Sequence, residues 1–462
     1  MMEDPRIDKT TTLELLGNVL SHGVMNKIDQ LEAVLITTDK YLTRFAKSQI
    51  HQHMAERNVD VAIRVVAGKK LGSVHLNSLE LPRLEGAVEQ AQKIARVQGE
   101  NLDFVSLPSY DADRLPPVAD IENLTYYNST AVHSPEAKSN EIKELIDLTT
   151  TKKEEDLAGA YLTEISRVAI VNSLGVEVYM PTTLASLNVN ITGPNGATGY
   201  AEFTSRDVKE LNLKAVGKEL KTRCRLSRNP KPLPAKTYPT IFEHYAVGEL
   251  LIYLSGMGFS AKAVSEGWSF MCDKFNEKIV SPKISIWDDG LDARGLPIPF
   301  DFEGMPKQRV DLIEKGEAKG VVYDSLTAGR EGKISTGHAL PAPNPMGPQP
   351  VNLFMNIGES DISEMIEDTK EGILVTRIHY ANPLDPKQTL LTGMTRDGTF
   401  LIEKGEITGA IKNMRFTQSL VEMLNTTKMV GNTSKSTRSW YGTCSVPCMK
   451  VGKFKFTGTT EH

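Results

Sequence analysis

The chain has 462 residues, of which 40% are hydrophobic and 24% are charged, so it is long enough for two or three domains with buried cores. A net charge of −5 gives no basic footprint for nucleic acid, no apolar run is long enough for a membrane span, and four cysteines do not make a disulfide framework. The polar start does not resemble a signal peptide, so we expect a cytoplasmic protein.

The first half of the chain predicts helices that alternate with strands. Amphipathic periodicity predicts helices over residues 11–24, 82–96, 135–156 and 208–226. Alternating and β-branched runs predict strands over residues 33–38, 42–47, 50–55, 59–66, 158–172, 176–189 and 197–203. The first four strands are expected to form an antiparallel meander, packed on the helix at 82–96.

A linker follows at residues 225–236, where three prolines and several positive charges resist both helix and sheet. The sequence therefore predicts an N-terminal domain over residues 1–228 and a C-terminal domain over residues 237–462.

The second domain is predicted to begin with a short strand, a turn and a central helix within residues 236–259. Val247, Leu250, Leu251 and Leu254 form one apolar stripe on that helix. Two short helices are expected at 260–267 and 268–278, and a late one at 417–428. Strands are expected at 284–287, 321–324, 351–357, 373–379, 399–403, 406–411 and 452–460.

These patterns predict the α+β class: an N-terminal domain with an antiparallel meander and helices, and a mostly antiparallel C-terminal β domain that carries the central helix at its start. The loop at residues 337–350 contains five prolines and could act as a flap.

Three motifs have ordinary explanations. The G-x-G-x-x-A match at residues 256–261 follows a helix, whereas a dinucleotide-binding motif follows a strand. Cys444 and Cys448 are separated by three residues in the sequence and are typical of small buried or half-buried thiols. His51 and His53 share a strand face; such a pair could bind a metal, but it is more typical of an exposed polar row.

His244, at the front of the central helix, is the candidate for chemistry. With Glu249 it could supply two metal ligands, but Tyr245 stands where a neighbouring base is needed to take a proton from zinc-bound water. The alternative is a histidine whose hydrogen bonds are satisfied near a helix start.

Several segments, taken in order, resemble the TldD/PmbA family, also called TldD/TldE or modulator of DNA gyrase. These are RFAKSQIHQ at 44–52, FSAKAVSEGWSF at 259–270, TGMTRDGTFLIEKGEI at 392–407, MVGN at 429–432 and SVP at 445–447. The resemblance covers most of the chain.

The resemblance implies a site in which one of three ligand positions is kept. The TldD branch is a zinc metallopeptidase with an H-E-x-x-x-H helix, whose first histidine corresponds to His244. Its catalytic glutamate corresponds to Tyr245, its second histidine to Glu249, and a late zinc-binding cysteine to Ser439, with Cys444 out of register. A tyrosine, whose pKa is ordinarily near 10, cannot act as the carboxylate does.

The degenerate motif therefore resembles the PmbA/TldE branch, the subunit that pairs with the metallopeptidase. The resemblance implies a heterodimer with an internal cavity in which unfolded peptides are cleaved, with zinc in the partner and no cofactor in this chain. Two alternatives remain open. One is an active metallopeptidase that uses His244, Glu249 and either Cys444 or His379 as ligands. The other is a peptide-binding regulatory homodimer.

Overall fold

The structure, a computed structural model, describes residues 8–109, 118–150, 154–439 and 442–460, with the backbone alone described at 118–120 and 439. The described residues form two β-sheets from consecutive parts of the chain, each with helices packed on it. This mixed and largely antiparallel architecture confirms the predicted α+β class.

The first sheet is antiparallel, with the strand order β3-β2-β1-β4-β5-β6. Its strands are β1 (Gln30–Ala46), β2 (Gln49–Ala67), β3 (Lys70–Leu76), β4 (Asp156–Asn172), β5 (Glu177–Gly193) and β6 (Ala197–Ser205). The helices of this half are α1 (Lys9–Met25), α2 (Leu81–Val97), α3 (Val118–Thr125), α4 (Asn128–Ala131), α5 (Pro135–Thr149) and α6 (Leu213–Leu226).

Helices cover one face of this sheet. Leu16 of α1 and Val88 of α2 pack with Leu35 of β1 in one core, and α5 and α6 pack in a second core around Phe45 and Leu187. Alternate residues of β1 face the other side, because side chains alternate along a strand. There, Val34 packs with residues from the second half of the chain.

The second half contains eleven strands and five helices among the described residues. The strands are β7 (Thr237–Phe242), β8 (Ile286–Asp288), β9 (Val310–Glu314), β10 (Glu317–Ala318), β11 (Asn352–Met355), β12 (Glu371–Asp385), β13 (Leu390–Glu403), β14 (Glu406–Ala410), β15 (Met414–Ser419), β16 (Thr427–Ser439) and β17 (Gly442–Thr459). The helices are α7 (His244–Gly256), α8 (Ala261–Ser265), α9 (Ser325–Arg330), α10 (Ile362–Glu367) and α11 (Leu420–Asn425).

Five strands of the second sheet pair in a closed ring. β7 pairs with β12 on one side and with β17 on the other, and β13 and β15 complete the circuit between them. Helix α7 leaves this ring directly after β7. The predicted stripe of Val247, Leu250, Leu251 and Leu254 is buried in the main core of this half, as expected.

The two halves of the chain are in contact. Phe300 packs under the first sheet with Val34 and Ile170. Arg64 of β2 donates hydrogen bonds to Glu32 at 2.8 Å and to Glu303 at 3.3 Å, so one buried guanidinium pairs with a carboxylate from each half. The predicted division into domains 1–228 and 237–462 stays a prediction.

Some predicted elements were wrong. The expected helix at 268–278 is a series of turns, because Asp273 and Asn276 have positive φ angles of 59° and 66°, which an α-helix does not tolerate. The expected strand at 321–324 is a single bridge, from Val322 to Ser260. The expected helix at 417–428 is shared between the end of β15, the short helix α11 and the start of β16.

The predicted break between the first two strands, at residues 39–41, is also absent. Asp39 is buried there, and it accepts hydrogen bonds from Arg57 at 2.5 Å and from Arg167 at 3.1 Å. A buried charge that is paired can therefore lie inside a long strand, at a position where the sequence alone predicts a break.

Within the described ranges, no helix is both long and apolar enough to cross a membrane.

Candidate functional site

The start of α7 is the centre of the candidate site. Glu243 occupies the N-cap position, but its side chain makes no capping hydrogen bond. Its carboxylate instead accepts a hydrogen bond from Arg223 of α6 at 2.9 Å. The first turn of the helix is thus attached to a buried cation in the other half of the chain.

His244 is half-buried, and its ring has a partner. Its Nε2 lies 3.3 Å from the backbone carbonyl oxygen of Thr433 on β16. Because a carbonyl only accepts, Nε2 carries the proton of this bond. Burial lowers the pKa of His244, which favours the neutral ring. A metal could bind Nε2 only after this hydrogen bond was lost.

Tyr245 is buried, and its hydroxyl is fully engaged. It donates a hydrogen bond to Glu219 at 2.8 Å, and it accepts one from the backbone N–H of Glu202 at 3.0 Å and another from Lys435. Burial, together with the nearby Glu219 carboxylate, raises the pKa of Tyr245 well above its ordinary value. The phenol therefore stays protonated near neutral pH and cannot act as a base.

Charged side chains enclose this tyrosine. The Arg223 guanidinium lies 5.1 Å from the centre of the Tyr245 ring, and the Lys435 ammonium lies 4.4 Å from it. Lys435 also donates to Glu219 at 3.1 Å, and Arg223 pairs with the same carboxylate. Although burial opposes the change, Arg223 and Lys435 lower the pKa of Glu219. The group of Tyr245, Glu219, Arg223, Glu243 and Lys435, here called the Tyr245 cluster, joins α6, α7 and β16.

Glu249 lies one turn further along α7 and is half-buried. Burial, with the Glu202 carboxylate nearby, raises its pKa, while Arg377 acts in the opposite direction. Within the described part of the chain, no side chain or backbone group is recorded as donating a hydrogen bond to its carboxylate. Burial and the nearby second carboxylate both favour the protonated form of Glu249 over the ionised form.

Gly248 brings α7 close to β16. A Cβ atom at this position would lie 2.1 Å from the hydroxyl oxygen of Thr437. Only glycine fits this approach without displacing Thr437, so the position beside Glu249 is fixed by packing.

The other predicted ligands lie in different settings. Cys444 is fully buried in β17, where burial raises its pKa well above the ordinary value and keeps it a thiol. His379 lies on β12, and its ring packs edge-on against Tyr380 with the ring centres 4.8 Å apart. Ser439 is the last residue of β16, and its side chain lies outside the described residues.

No group of three or more His, Cys, Asp and Glu side chains that could hold a metal occurs in the parts of the chain that the structure describes. A zinc site in a peptidase takes three protein ligands and leaves one position for water. The assignment of His244 and Glu249 as ligands stays a prediction.

His51 and His53 lie exposed on β2, as a polar row would. Nδ1 of His53 lies 2.9 Å from the hydroxyl of Thr43 on the neighbouring strand.

Sequence reasoning missed a second buried charged group. His338 lies at the start of the proline-rich loop. Its Nε2 lies 2.8 Å from a carboxylate oxygen of Asp288, and its Nδ1 lies 2.9 Å from the hydroxyl oxygen of Thr336. Asp288 also accepts hydrogen bonds from the backbone N–H groups of Val351 and Asn352, both at 2.8 Å. These contacts hold both ends of the loop, and the residues are too far apart in sequence to form a recognisable motif.

Comparison with known proteins places the chain in a family. The models of the PmbA/TldA metallopeptidase central domain and C-terminal domain match residues 132–227 and 235–458, together more than half of the chain. A metalloprotease TldD homolog of Haemophilus influenzae is 26% identical over an alignment of 406 positions, gaps included, and the alignment covers 81% of this chain and 80% of that protein. Metalloprotease PmbA of Escherichia coli O157:H7 is 25% identical over an alignment of 259 positions, gaps included, which covers 54% of each chain.

A solved structure shares the fold. The crystal structure of TldE from Thermococcus kodakarensis superposes with a TM-score of 0.87 at 23% identity, covering 96% of this chain and all of that one. At this level of identity the likeness shows the fold alone. Taken with the two matched domain models, it leads to one conclusion: the chain belongs to the TldD/PmbA family.

Proposed function

We propose that this chain is the PmbA/TldE-like subunit of a TldD-type zinc metallopeptidase complex that processes unfolded peptides, and that it has no intact catalytic site of its own. The observation that carries the proposal is the engagement of the Tyr245 hydroxyl by Glu219, Glu202 and Lys435. The relatives named metalloprotease TldD homolog and metalloprotease PmbA support the peptidase setting.

The chemistry of the first turn of α7 supports a loss of catalysis. A zinc peptidase needs a carboxylate that accepts a proton from metal-bound water. At the corresponding position this chain has a buried phenol with a raised pKa, which is already hydrogen-bonded on all sides. Nε2 of His244 is in turn hydrogen-bonded to a carbonyl group, so this nitrogen is not free to bind a metal. Loss of a general base costs about two or more orders of magnitude in rate.

The role left to the chain is to shape a compartment and to hold extended peptide. Strand addition to a free sheet edge reads the backbone and tolerates many sequences. The outer edge of β2 supports this role: its residues 49–60 pair with β1, and no described strand pairs with them on the other side. The side chains of this segment are nearly all exposed, so the edge is accessible to another chain.

The experiment is to purify this chain and a TldD-type partner separately and together. We expect the mixture to form a complex of defined mass that cleaves an unfolded peptide faster than the partner alone. The isolated chain should cleave nothing and should contain no stoichiometric zinc, iron or manganese. If the pair cleaves no faster than the partner alone, the proposed subunit role is wrong.

The same measurements separate the two alternatives. Turnover by the isolated chain, with a stoichiometric transition metal, would identify an active metallopeptidase. Peptide binding by a homodimer that forms no complex with the partner would identify a regulatory protein. Either result would contradict the proposal.

A further inference from the structure

A basic cavity lies away from the Tyr245 cluster, on the other side of α6. Its volume is about 600 Å³, and it lies between α6 and the end of α5, with Ile191 of β5 also in its wall. Five cationic side chains line it: Lys214, Lys218, Lys221, Arg225 and Arg228. Glu155 is the one acidic residue in the described lining. The cavity therefore carries a large excess of positive charge, although the chain as a whole is acidic.

Most of this charge is not neutralised within the described structure. Arg228 donates a hydrogen bond to Glu155 at 3.1 Å, which accounts for one cation. The other four cations form no ion pair with a carboxylate in the part of the chain that the structure describes. The Nε of Arg228 is buried and has no hydrogen-bond acceptor among the described residues. The four remaining cations in the wall of the cavity are groups that a bound carboxylate would pair with.

The spacing of the cations indicates an extended ligand. Lys214, Lys218, Lys221 and Arg225 follow one another by four, three and four positions, so they lie along one face of α6. At 1.5 Å per residue, this row is about 16 Å long, with a cation about every 5.5 Å. Alternate side chains of an extended peptide recur about every 6.6 Å on one side. The two repeats differ by about 1 Å, which flexible lysine side chains can accommodate.

The lining favours a peptide over a nucleic acid. Proteins that bind single-stranded nucleic acid usually stack its bases on aromatic side chains. The described lining of this cavity contains no aromatic residue.

We propose that this cavity binds an extended acidic segment of a peptide chain, with carboxylates at alternate positions along the α6 row. The preference for a peptide rests in part on the proposed function, whereas the requirement for negative charge rests on the cavity alone. The site would select which unfolded peptides the chain holds, and it would do so away from the front of α7.

The test is fluorescence anisotropy with the isolated full chain at low salt, using two labelled decapeptides. One alternates Glu and Gly, and the other alternates Gln and Gly. We expect the Glu peptide to bind at least tenfold more tightly, and we expect salt to weaken that binding. The K218E/K221E variant should lose at least tenfold in affinity. The matched control K93E/K143E changes two exposed helical lysines outside the cavity and should stay within twofold of the wild type.

Equal binding of the two peptides, or an equal loss of affinity in the control variant, would overturn the proposal. Tighter binding of an oligothymidylate than of the Glu peptide would overturn the choice of a peptide. Thermal unfolding of both variants checks that the chain remains folded, and K218Q/K221Q provides a milder change at the same positions. The anisotropy assay needs neither the partner nor cleavage. A failure to bind the Glu peptide would therefore not contradict the proposed function. Likewise, a failure of the pair to cleave peptide would not contradict binding of the Glu peptide in this cavity.

Discussion

The hydroxyl of Tyr245 lies 2.8 Å from a carboxylate oxygen of Glu219, and this contact joins the first turn of α7 to helix α6. Lys435 of β16 donates to both groups, so three elements meet at one phenol. The family resemblance assigns the catalytic glutamate to this position. In this chain the position connects the two halves of the molecule.

Replacement of Tyr245 by Phe tests that connection. The change removes the acceptor for the Glu202 N–H and the donor to Glu219 while it keeps the ring. Because buried polar groups lose partners, we expect the free energy of unfolding to fall by about 1–3 kcal/mol. Denaturant unfolding followed by circular dichroism measures it. The control Y380F alters an exposed tyrosine and should stay within about 0.5 kcal/mol of the wild type. Equal stability of Y245F and Y380F would refute the structural role.

Replacement of Gly248 by Ala tests the close approach of α7 to β16. The new methyl group would overlap the hydroxyl of Thr437, so we expect a loss of about 1–3 kcal/mol in the same unfolding measurement. Removal of that hydroxyl in G248A/T437A should restore part of the loss. The matched control is G256A at the end of the same helix, where nothing lies within 4 Å of the added atom. Glycine is a poor helix residue, so G256A should be neutral or stabilising. A neutral G248A would show that the contact is looser than described.

His244 and Glu249 are expected to be dispensable for turnover in the complex with a TldD-type partner. The variants H244Q and E249Q keep similar size and polarity, and they should leave peptide cleavage by the pair within about twofold of the wild type. The measurement is cleavage at saturating partner concentration. Replacement of the metal-binding histidines in the partner is the control and should abolish cleavage. A drop of about a hundredfold or more with H244Q would indicate that this chain supplies a general catalytic group.

Stability should depend on pH through His338. Burial, with the Lys307 ammonium nearby, lowers the pKa of His338 from its ordinary value of 6.5, although Asp288 opposes the change. Below about pH 6.5 the unfolded chain binds a proton that the folded chain does not, so the stability present above that pH is lost as pH falls. The slope is at most about 1.4 kcal/mol per pH unit for one proton.

Denaturant unfolding between pH 5 and 8 measures this effect. The variant H338Q should show a shallower slope than the wild type. The variant H51Q, which alters an exposed histidine on β2, is the control. The assignment fails if H338Q and the wild type have the same slope.

Thiol reactivity should single out Cys272. This side chain is half-buried, whereas Cys224, Cys444 and Cys448 are buried, and burial raises the pKa of each of these three. Reaction with a chromogenic disulfide should show one fast thiol in the native protein and four in denaturant. The variant C272S should remove the fast phase. Fast reaction of Cys444 would contradict its assignment as an inert core thiol.

Periodic patterns allowed much of the fold to be predicted. The stripe of Val247 to Leu254 predicted the buried face of α7, and the predicted helix at 82–96 corresponds to α2. Local patterns failed where a long strand carries charge, because Asp39 is buried by pairing with arginines from two neighbouring strands. That pairing depends on register, which the local sequence does not encode.

The composition of the candidate site was less predictable. The sequence identified His244, Tyr245 and Glu249, but it did not identify what Tyr245 contacts. Its partners Glu202, Glu219 and Lys435 come from β6, α6 and β16, and only the folded chain brings them together. The helix at 208–226 was predicted from sequence, but its basic row was not identified, and the cavity beside that row depends on the placement of α5.

The closed ring of β7, β12, β13, β15 and β17 limits how far the front of α7 can move. A strand inside such a ring cannot fray from an open side, so the amide protons of Ile241 and Phe242 should exchange with solvent only when the whole ring opens. The front of α7 follows this strand within two residues. An incoming peptide would therefore meet a preformed surface there, and any conformational change on binding would have to occur in the peptide.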